Sequence, residues 1–383
     1  MIDVPKARQQ TPGCSGTMIH FNNAGASLPS AAVLDTVVAH LQREAQIGGY
    51  RALDEVKPRI EAVYASVARL LNAAPDEIAL MESATRAWNT AFAALAFAPG
   101  DRIITARAEY ASNVLTLLHA ARRRDVVIDL VPDDETGQVD VAALERLIGP
   151  RTKLIALTHA PTDSGLVNPV AAVGRLARAA GVPFLLDACQ SVGQMPVDVA
   201  AIGCDMLSAT GRKFLRAPRG TGFLYVRRAW LERLDPPTVD LASASWTGLD
   251  HYEIRPDARR FETWENATAG RLGLGVAVGE ALALGLGAIQ ARITTLAGAL
   301  RARLSAMPGI QVHDRGPVLS GIVTFSRAGE AAADVQRRLQ ASEINVSASA
   351  PGYARFDGVA PRVRASVHYF NIEAEIDRFC ACL

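Results

Sequence analysis

Two residues in the middle of the chain carry the first chemical signal. Asp187 ends a short apolar run, Phe184-Leu185-Leu186. Lys213 follows it by 26 residues, just after a second apolar patch, Met206-Leu207-Ser208-Ala209-Thr210. Gly220 and Gly222 then lead into a third run, Phe223-Leu224-Tyr225-Val226. A carboxylate at the end of one buried strand and a lone lysine after the next is the pair that pyridoxal phosphate chemistry needs. The lysine amine condenses with the cofactor aldehyde, and the carboxylate keeps the pyridine nitrogen protonated, so that the ring accepts electrons from a substrate carbanion. The interval leaves room for one crossover between neighbouring strands. Taken singly, an Asp at a strand end often caps a helix and most lysines are solvated surface groups. The pair inside a strand–turn–strand frame is what points to the cofactor.

Such a pair needs a sheet to hold it. Apolar runs recur at Ile103-Ile104-Thr105, Val126-Val127-Ile128-Asp129-Leu130, Leu154-Ile155-Ala156-Leu157 and Phe184-Leu185-Leu186, with helical segments between most of them. This alternation predicts an α/β fold with a mostly parallel, doubly covered sheet. Ligands of such sheets sit at the C-terminal ends of strands, where Tyr110, His159, Asp187 and Lys213 fall. His159 by itself reads as a structural strand-end histidine. Upstream, Ala79-Leu80-Met81 runs through Glu82-Ser83-Ala84-Thr85 into a helical pattern with Trp88, Phe92 and Leu95. A strand entering a helix through small and hydroxyl residues can place helix N–H groups around a phosphate.

Ser30 is an N-cap candidate before an apolar helical face of Val33, Leu34, Val37, Val38 and Leu41. Gly48-Gly49 stops that helix and leaves Tyr50-Arg51 in a loop. Val56, Ile60, Val63, Val67 and Leu70 mark the next helix. Leu272 to Ile289 reads as one apolar helix interrupted by glycines. Beyond it, strands at Ile322-Val323-Thr324-Phe325, Ile344-Asn345-Val346 and Val363-Arg364-Ala365-Ser366 alternate with helix. The pattern divides the chain into an arm at 1–18, flexible or draped over a partner, a large cofactor-binding domain at 19–255 and a smaller α+β domain at 256–383.

Composition narrows the function classes. A chain of 383 residues with 49% hydrophobic residues buries a large core, and a net charge of +1 argues against nucleic acid as a partner. No apolar stretch reaches the ~18 residues that span a bilayer, and the N-terminal MIDVPKARQQTPG has no apolar centre of the kind a secretion signal carries. Cys14, Cys189, Cys204, Cys380 and Cys382 show no zinc spacing. An odd count of thiols fits a reduced, cytoplasmic protein with no metal.

The motifs D-A-x-Q-S at Asp187, S-A-T-G-R-K ending at Lys213 and R-G-T-G-F-L-Y-V from Arg219 resemble the class V aminotransferase group of fold-type I pyridoxal phosphate enzymes. That group includes cysteine desulfurases, kynureninases and C–S lyases, and the resemblance runs from His20 onward. It implies Lys213 as the catalytic residue. It also implies a cofactor site of Ala84, Thr85, Tyr110, Thr162, Asp187, Gln190, Thr210, Arg212 and Lys213. Ala84 and Thr85 match the phosphate turn, and Gln190 matches a contact near the phenolic oxygen. Tyr110 stands where desulfurases carry a ring-stacking His; a Tyr face can stack too, or it is an ordinary half-buried Tyr. Thr162 replaces an Asn that bonds the phenolic oxygen, which a hydroxyl does more weakly. Arg212 replaces a His and is a candidate phosphate contact.

On the substrate side the resemblance places Asn23, Ala24 and Gly25, which otherwise read as a plain turn before a helix. It adds Tyr50, whose Gly-Gly-Tyr loop is similar to that of ergothioneine-forming sulfoxide lyases and otherwise reads as a surface turn. Arg364, in R-A-S-x-x-x-x-N, is the candidate anchor for a substrate carboxylate, because Arg grips one with two parallel hydrogen bonds. The segment Arg260 to Glu265 corresponds to one that reaches a neighbouring subunit's phosphate in relatives. Here Trp264-Glu265 replaces Gly-Thr, leaving Asn266 or Thr268 to supply the contact. A C₂ homodimer is the expectation.

Desulfurases carry a nucleophilic Cys on a loop between the last two strands. Here that loop, Ser347 to Phe356, has none, and a persulfide cannot form there without a thiolate. The sequence reading therefore expects a C–S lyase that eliminates a β-substituent from a cysteine-derived amino acid, with Lys213 as general base, and not a persulfide-forming desulfurase. An aminotransferase, an epimerase or a non-catalytic cofactor-fold protein stay open.

Overall fold

The computed structural model describes residues 2–349, 356 and 358–383. Its central element is a seven-stranded sheet with the order Ile78–Met81, Gly222–Val226, Met206–Thr210, Phe184–Asp187, Thr152–Thr158, Arg102–Ala106, Val127–Val131. Five strands, from Met206–Thr210 to Val127–Val131, run parallel, and Gly222–Val226 is antiparallel to both of its neighbours. The inner strands are buried on both faces, which is why they read as unbroken apolar runs rather than alternating ones. Neighbouring residues serve opposite faces. Ile155, Leu157, Phe184 and Leu186 pack into one core with the helix Val170–Ala180. Leu154, Ala156 and Leu185 pack into the other with the helices Ala84–Ala93 and Ala111–Arg124.

A second, antiparallel sheet orders Ile310–Val312, Ile322–Arg327, Val363–Ser366 and Ser347–Ala348. The helices Leu286–Ser305 and Ala332–Ala341 pack on it, and Glu373–Ala381 lies against Leu286–Ser305. The split at 255/256 does not follow the packing. Ile19–His20 pairs in parallel with Ile344–Asn345, so the first strand joins the C-terminal part. Thr268–Leu284 lies instead against Ala31–Ile47 and Gly49–Leu71.

Four local expectations change. The arm is ordered: Asp3 caps a helix, Val4–Gln9, and Ala7 is buried. The glycine pair separates two helices rather than opening a loop. Gly48 takes φ 86°, and Tyr50-Arg51 form the first turn of Gly49–Leu71. The apolar face of Ala31–Ile47 buries only Val33 and leaves Leu34, Val38 and Leu41 exposed. The run from Leu272 breaks at Gly285, φ 83°, into Thr268–Leu284 and Leu286–Ser305, bent by 81°.

Two buried charged side chains tie distant segments together. Arg216, non-glycine at φ 62°, donates to the Leu28 carbonyl at 2.8 Å, to Thr11 Oγ1 at 2.6 Å and to the Tyr369 hydroxyl. Its guanidinium lies over the Phe370 ring at 4.7 Å. Glu262 accepts from the Tyr64 hydroxyl and the Leu80 N–H, both at 2.8 Å, and pairs with Arg271 at 3.0 Å. Glu262→Ala leaves the half-buried Arg271 without its carboxylate partner. It is expected to destabilise the fold by about 3–5 kcal/mol, read as a lower urea midpoint at unchanged slope.

Candidate active site

Lys213 sits in the turn between Met206–Thr210 and Gly222–Val226, 6% exposed, at the C-terminal edge of the sheet. Its amine is 5.7 Å from the centre of the Tyr110 ring. Asp187 ends the adjacent strand. The Cys189 N–H donates to its Oδ1 at 2.9 Å and Asn113 Nδ2 to its Oδ2, also at 2.9 Å. Burial raises the Asp187 carboxyl above the usual range, while these two donors and the Lys213 charge pull it back down. The Cys189 thiol lies in the same cleft, pushed up by burial.

Ser83, Ala84, Thr85, Thr210 and Arg212 line the other end of this cleft. Ser83 caps the helix Ala84–Ala93 by accepting from the Arg86 N–H at 3.1 Å. The N–H groups of Ala84 and Thr85 belong to the first turn, where a helix has no internal acceptor for them. The helix start lies hard against the sheet. A Cβ at Gly222 would come within 2.5 Å of the Ala209 carbonyl and 3.0 Å of Ser83 C, so only glycine permits that approach.

On the far side, Arg364 donates to the Thr162 hydroxyl and, at 3.4 Å, to Asn22 Oδ1. Gln190 Nε2 donates to the same Thr162 hydroxyl at 3.2 Å and to the Ala24 carbonyl at 3.1 Å. Gln190 Oε1 is buried with no hydrogen-bond partner among the described residues. His159, at the end of Thr152–Thr158, is neutral, pulled down to about 4 by burial.

The structure thus brings Ala84, Thr85, Tyr110, Asp187, Thr210, Arg212 and Lys213 to one cleft, and links Thr162, Gln190 and Arg364 in a chain beside Ala24. Other sequence candidates lie elsewhere. Asn23 is buried and spends its side chain on Ser366, Asn371, His20 and Ser27; the neighbour that reaches Arg364 is Asn22. Gly25 meets the site through its carbonyl, which accepts from Arg212, so that guanidinium is held there in addition to lining the cleft. Tyr50 is 78% exposed and lines a different, open cavity with Trp264 and Arg255. Arg260 turns inward to the Arg255 and Leu231 carbonyls, leaving Trp264 exposed. Asn113 and Asn22 escaped the sequence reading. Asn113 lies four residues after Glu109, the helical spacing that would have flagged it.

A lysine for an aldehyde, a buried carboxylate for a ring nitrogen, helix N–H groups for a phosphate, an aromatic wall and an orphaned Gln190 oxygen form a donor set that fits pyridoxal phosphate. Asp187 and Lys213 would hold the ring, and Ser83, Ala84 and Thr85 the phosphate. The bound cofactor supplies an electron sink for a carbanion.

Comparison with known proteins agrees with this. The family described as aminotransferase class-V matches residues 19–379. The chain is 30% identical over 380 residues to a probable cysteine desulfurase of Xylella fastidiosa (strain 9a5c), covering 96% of this chain and 90% of that protein. It is 32% identical over 334 residues to a cysteine desulfurase of Dickeya dadantii (strain 3937), covering 85% and 80%. Among solved structures, the apo cysteine desulfurase of Thermococcus onnurineus NA1 superposes with TM-score 0.92 at 25% identity, covering 100% of this chain and 97% of that one. The cystine C–S lyase C-DES, solved with cysteine persulfide, matches in fold at TM-score 0.89 and 22% identity, covering 97% and 98%. The cofactor is pyridoxal phosphate and the fold is fold-type I. The expectation of an eliminating lyase that is not a persulfide-forming desulfurase is overturned by relatives named as desulfurases. The loop on which it rested, 347–356, lies partly outside the described residues.

Proposed function

This chain belongs to the aminotransferase class-V family, and on that premise we propose that it acts as a cysteine desulfurase, taking the sulfur from cysteine and leaving alanine. The observation that carries the reading is 30% identity across 96% of the chain to a probable desulfurase, joined to the Lys213–Asp187 cleft. Lys213 is the base that moves the α-proton. Arg364, beside Asn22 and Thr162, holds the substrate carboxylate. A thiol must accept the sulfur, and in the assay a thiol from solution completes the turnover. With two equivalents of thiol the balance is alanine, sulfide and one disulfide. Purified protein loaded with pyridoxal phosphate, given cysteine and dithiothreitol, is expected to form alanine and sulfide in equal amounts. Pyruvate and ammonia in place of alanine would overturn the proposal.

Arg364→Lys removes the planar fork while keeping the charge. Losing one charged hydrogen bond of about 1.5–3 kcal/mol corresponds to a rise of roughly 10- to 100-fold in KM for the amino acid. Steady-state kinetics with kcat little changed is the expected result.

The active unit in this reading is a homodimer. Its support is apolar surface with no cover in one chain: Leu34, Val38 and Leu41, the hairpin Ala244–Gly248/His251–Ile254 with Trp246 at 75% exposure, and Leu249 at its tip at 98%. In this reading Trp264 and Glu265, both exposed, reach toward the second subunit. Sedimentation of a monomer with full activity would refute this. A cytoplasmic setting is supported by five unpaired cysteines, and no single helix among the described residues is long and apolar enough to cross a membrane.

A further inference from the structure

Behind Asp187 stands a second carboxyl to which the chemistry above gives no task. Glu109 is 4% exposed, in the turn that follows Arg102–Ala106. Its Oε1 accepts from the Tyr110 N–H at 2.8 Å, from Asn113 Nδ2 at 2.9 Å and from the Thr158 hydroxyl. Its Oε2 is buried with no hydrogen-bond partner among the described residues. The second N–H of Asn113 Nδ2 goes to Asp187 Oδ2 at 2.9 Å. One amide nitrogen therefore joins the two carboxyls through its two protons.

Two full negative charges joined by a single amide inside a sheet repel each other and lose their hydration. The cluster relieves this unequally. Asp187 has the Cys189 N–H and the Lys213 charge to favour its ionised form. Glu109 has no cation among the groups acting on it; burial first, and then the Asp187 charge, push its carboxyl up to about 7. The groups around the pair come from each neighbouring element. Thr152–Thr158 contributes the Thr158 hydroxyl, followed by neutral His159. The helix Ala111–Arg124 contributes uncharged Asn113. Phe184–Asp187 contributes Asp187, followed by the Cys189 thiol, and the next turn contributes Lys213.

We propose that Glu109 is a positioning residue for the Asp187 carboxylate: through Asn113 it fixes how Asp187 faces the cofactor ring, and its proton sets whether the buried cluster behind that ring carries one negative charge or two. The inference rests on the cofactor assignment and not on the identity of the substrate. As pH falls, Glu109 takes up a proton, its carboxyl being held up at about 7 by burial and the Asp187 charge. As pH rises, Glu109 loses its proton and adds a second negative charge, which strengthens the hold on a protonated ring nitrogen. Cofactor binding is then linked to release of the Glu109 proton. Asn113 keeps the geometry constant while the charge changes.

The test is cofactor affinity as a function of pH, measured by fluorescence titration of apoprotein with pyridoxal phosphate alone. Glu109→Gln keeps the shape and the acceptor oxygen but cannot ionise. The ratio of the wild-type and Glu109→Gln dissociation constants is expected to move by about threefold or more between pH 6 and pH 8, wild type gaining affinity as pH rises. A ratio constant over that range overturns the proposal. If Glu109→Gln does not fold, Thr158→Val removes one donor to Oε1 and moves the same wild-type transition to higher pH; an unmoved transition has the same overturning force. Wild-type protein that binds no pyridoxal phosphate at any pH would remove the cofactor assignment itself, a separate failure.

Discussion

Lys213→Ala is expected to lose the visible absorbance of covalently held cofactor and all measurable turnover, while the fold stays intact. The side chain supplies both the covalent link and the base, and among the described residues no other lysine lines the cleft. A positioned base contributes about 10²–10⁴-fold, and loss of the covalent link comes on top of that. The fold survives because Lys213 has no structural ion pair among the described residues and its turn is held from elsewhere, by Arg216. Absorption spectra, alanine formation and circular dichroism of the purified variant together check this. A variant that retains the covalent absorbance would mean that another amine carries the cofactor.

Asp187→Asn should cost about 10²–10³ in kcat, the size of removing one preorganised electrostatic partner from a site. The carboxylate is buried, so its charge acts through a poorly screened medium. The amide leaves the cleft's shape unchanged, and Lys213 and the helix start still hold the cofactor. The loss should therefore fall on proton removal rather than on cofactor content. Exchange of the substrate α-proton in deuterated water, followed with cofactor content matched, is the measurement. Exchange at the wild-type rate would show that Asp187 does not act on the ring.

The parts of this molecule legible in its sequence were those written in local pattern. The apolar runs at Leu154 and Phe184 gave buried strands because a strand covered on both faces has no polar alternation. Asp187 stood out because it ends such a run, and Lys213 because it follows one closely. What stayed hidden depends on contacts distant in sequence. Asn113 reaches Asp187 across 74 residues, and Arg364 reaches Thr162 across 202. No local pattern reports such pairs. Tyr50 went astray for a different reason: Gly48 does stop a helix, but at φ 86° it also starts the next one, so no loop follows it. The missing loop thiol misled most. It is a true feature of the sequence, but relatives named as desulfurases overturn the reading built on it.

The clamp made by Arg216 bears on the order in which this protein matures. Arg216 lies three residues beyond Lys213, and its guanidinium is held by Thr11, Leu28 and Tyr369. On the ribosome, Thr11 and Leu28 emerge before the lysine, and Tyr369 follows Arg216 by 153 residues. The turn that presents the lysine therefore lacks one of its three fastenings until Tyr369 has been made. Capture of the cofactor in the finished geometry is then expected to follow the synthesis of Tyr369, and chains cut before that residue are expected to load poorly.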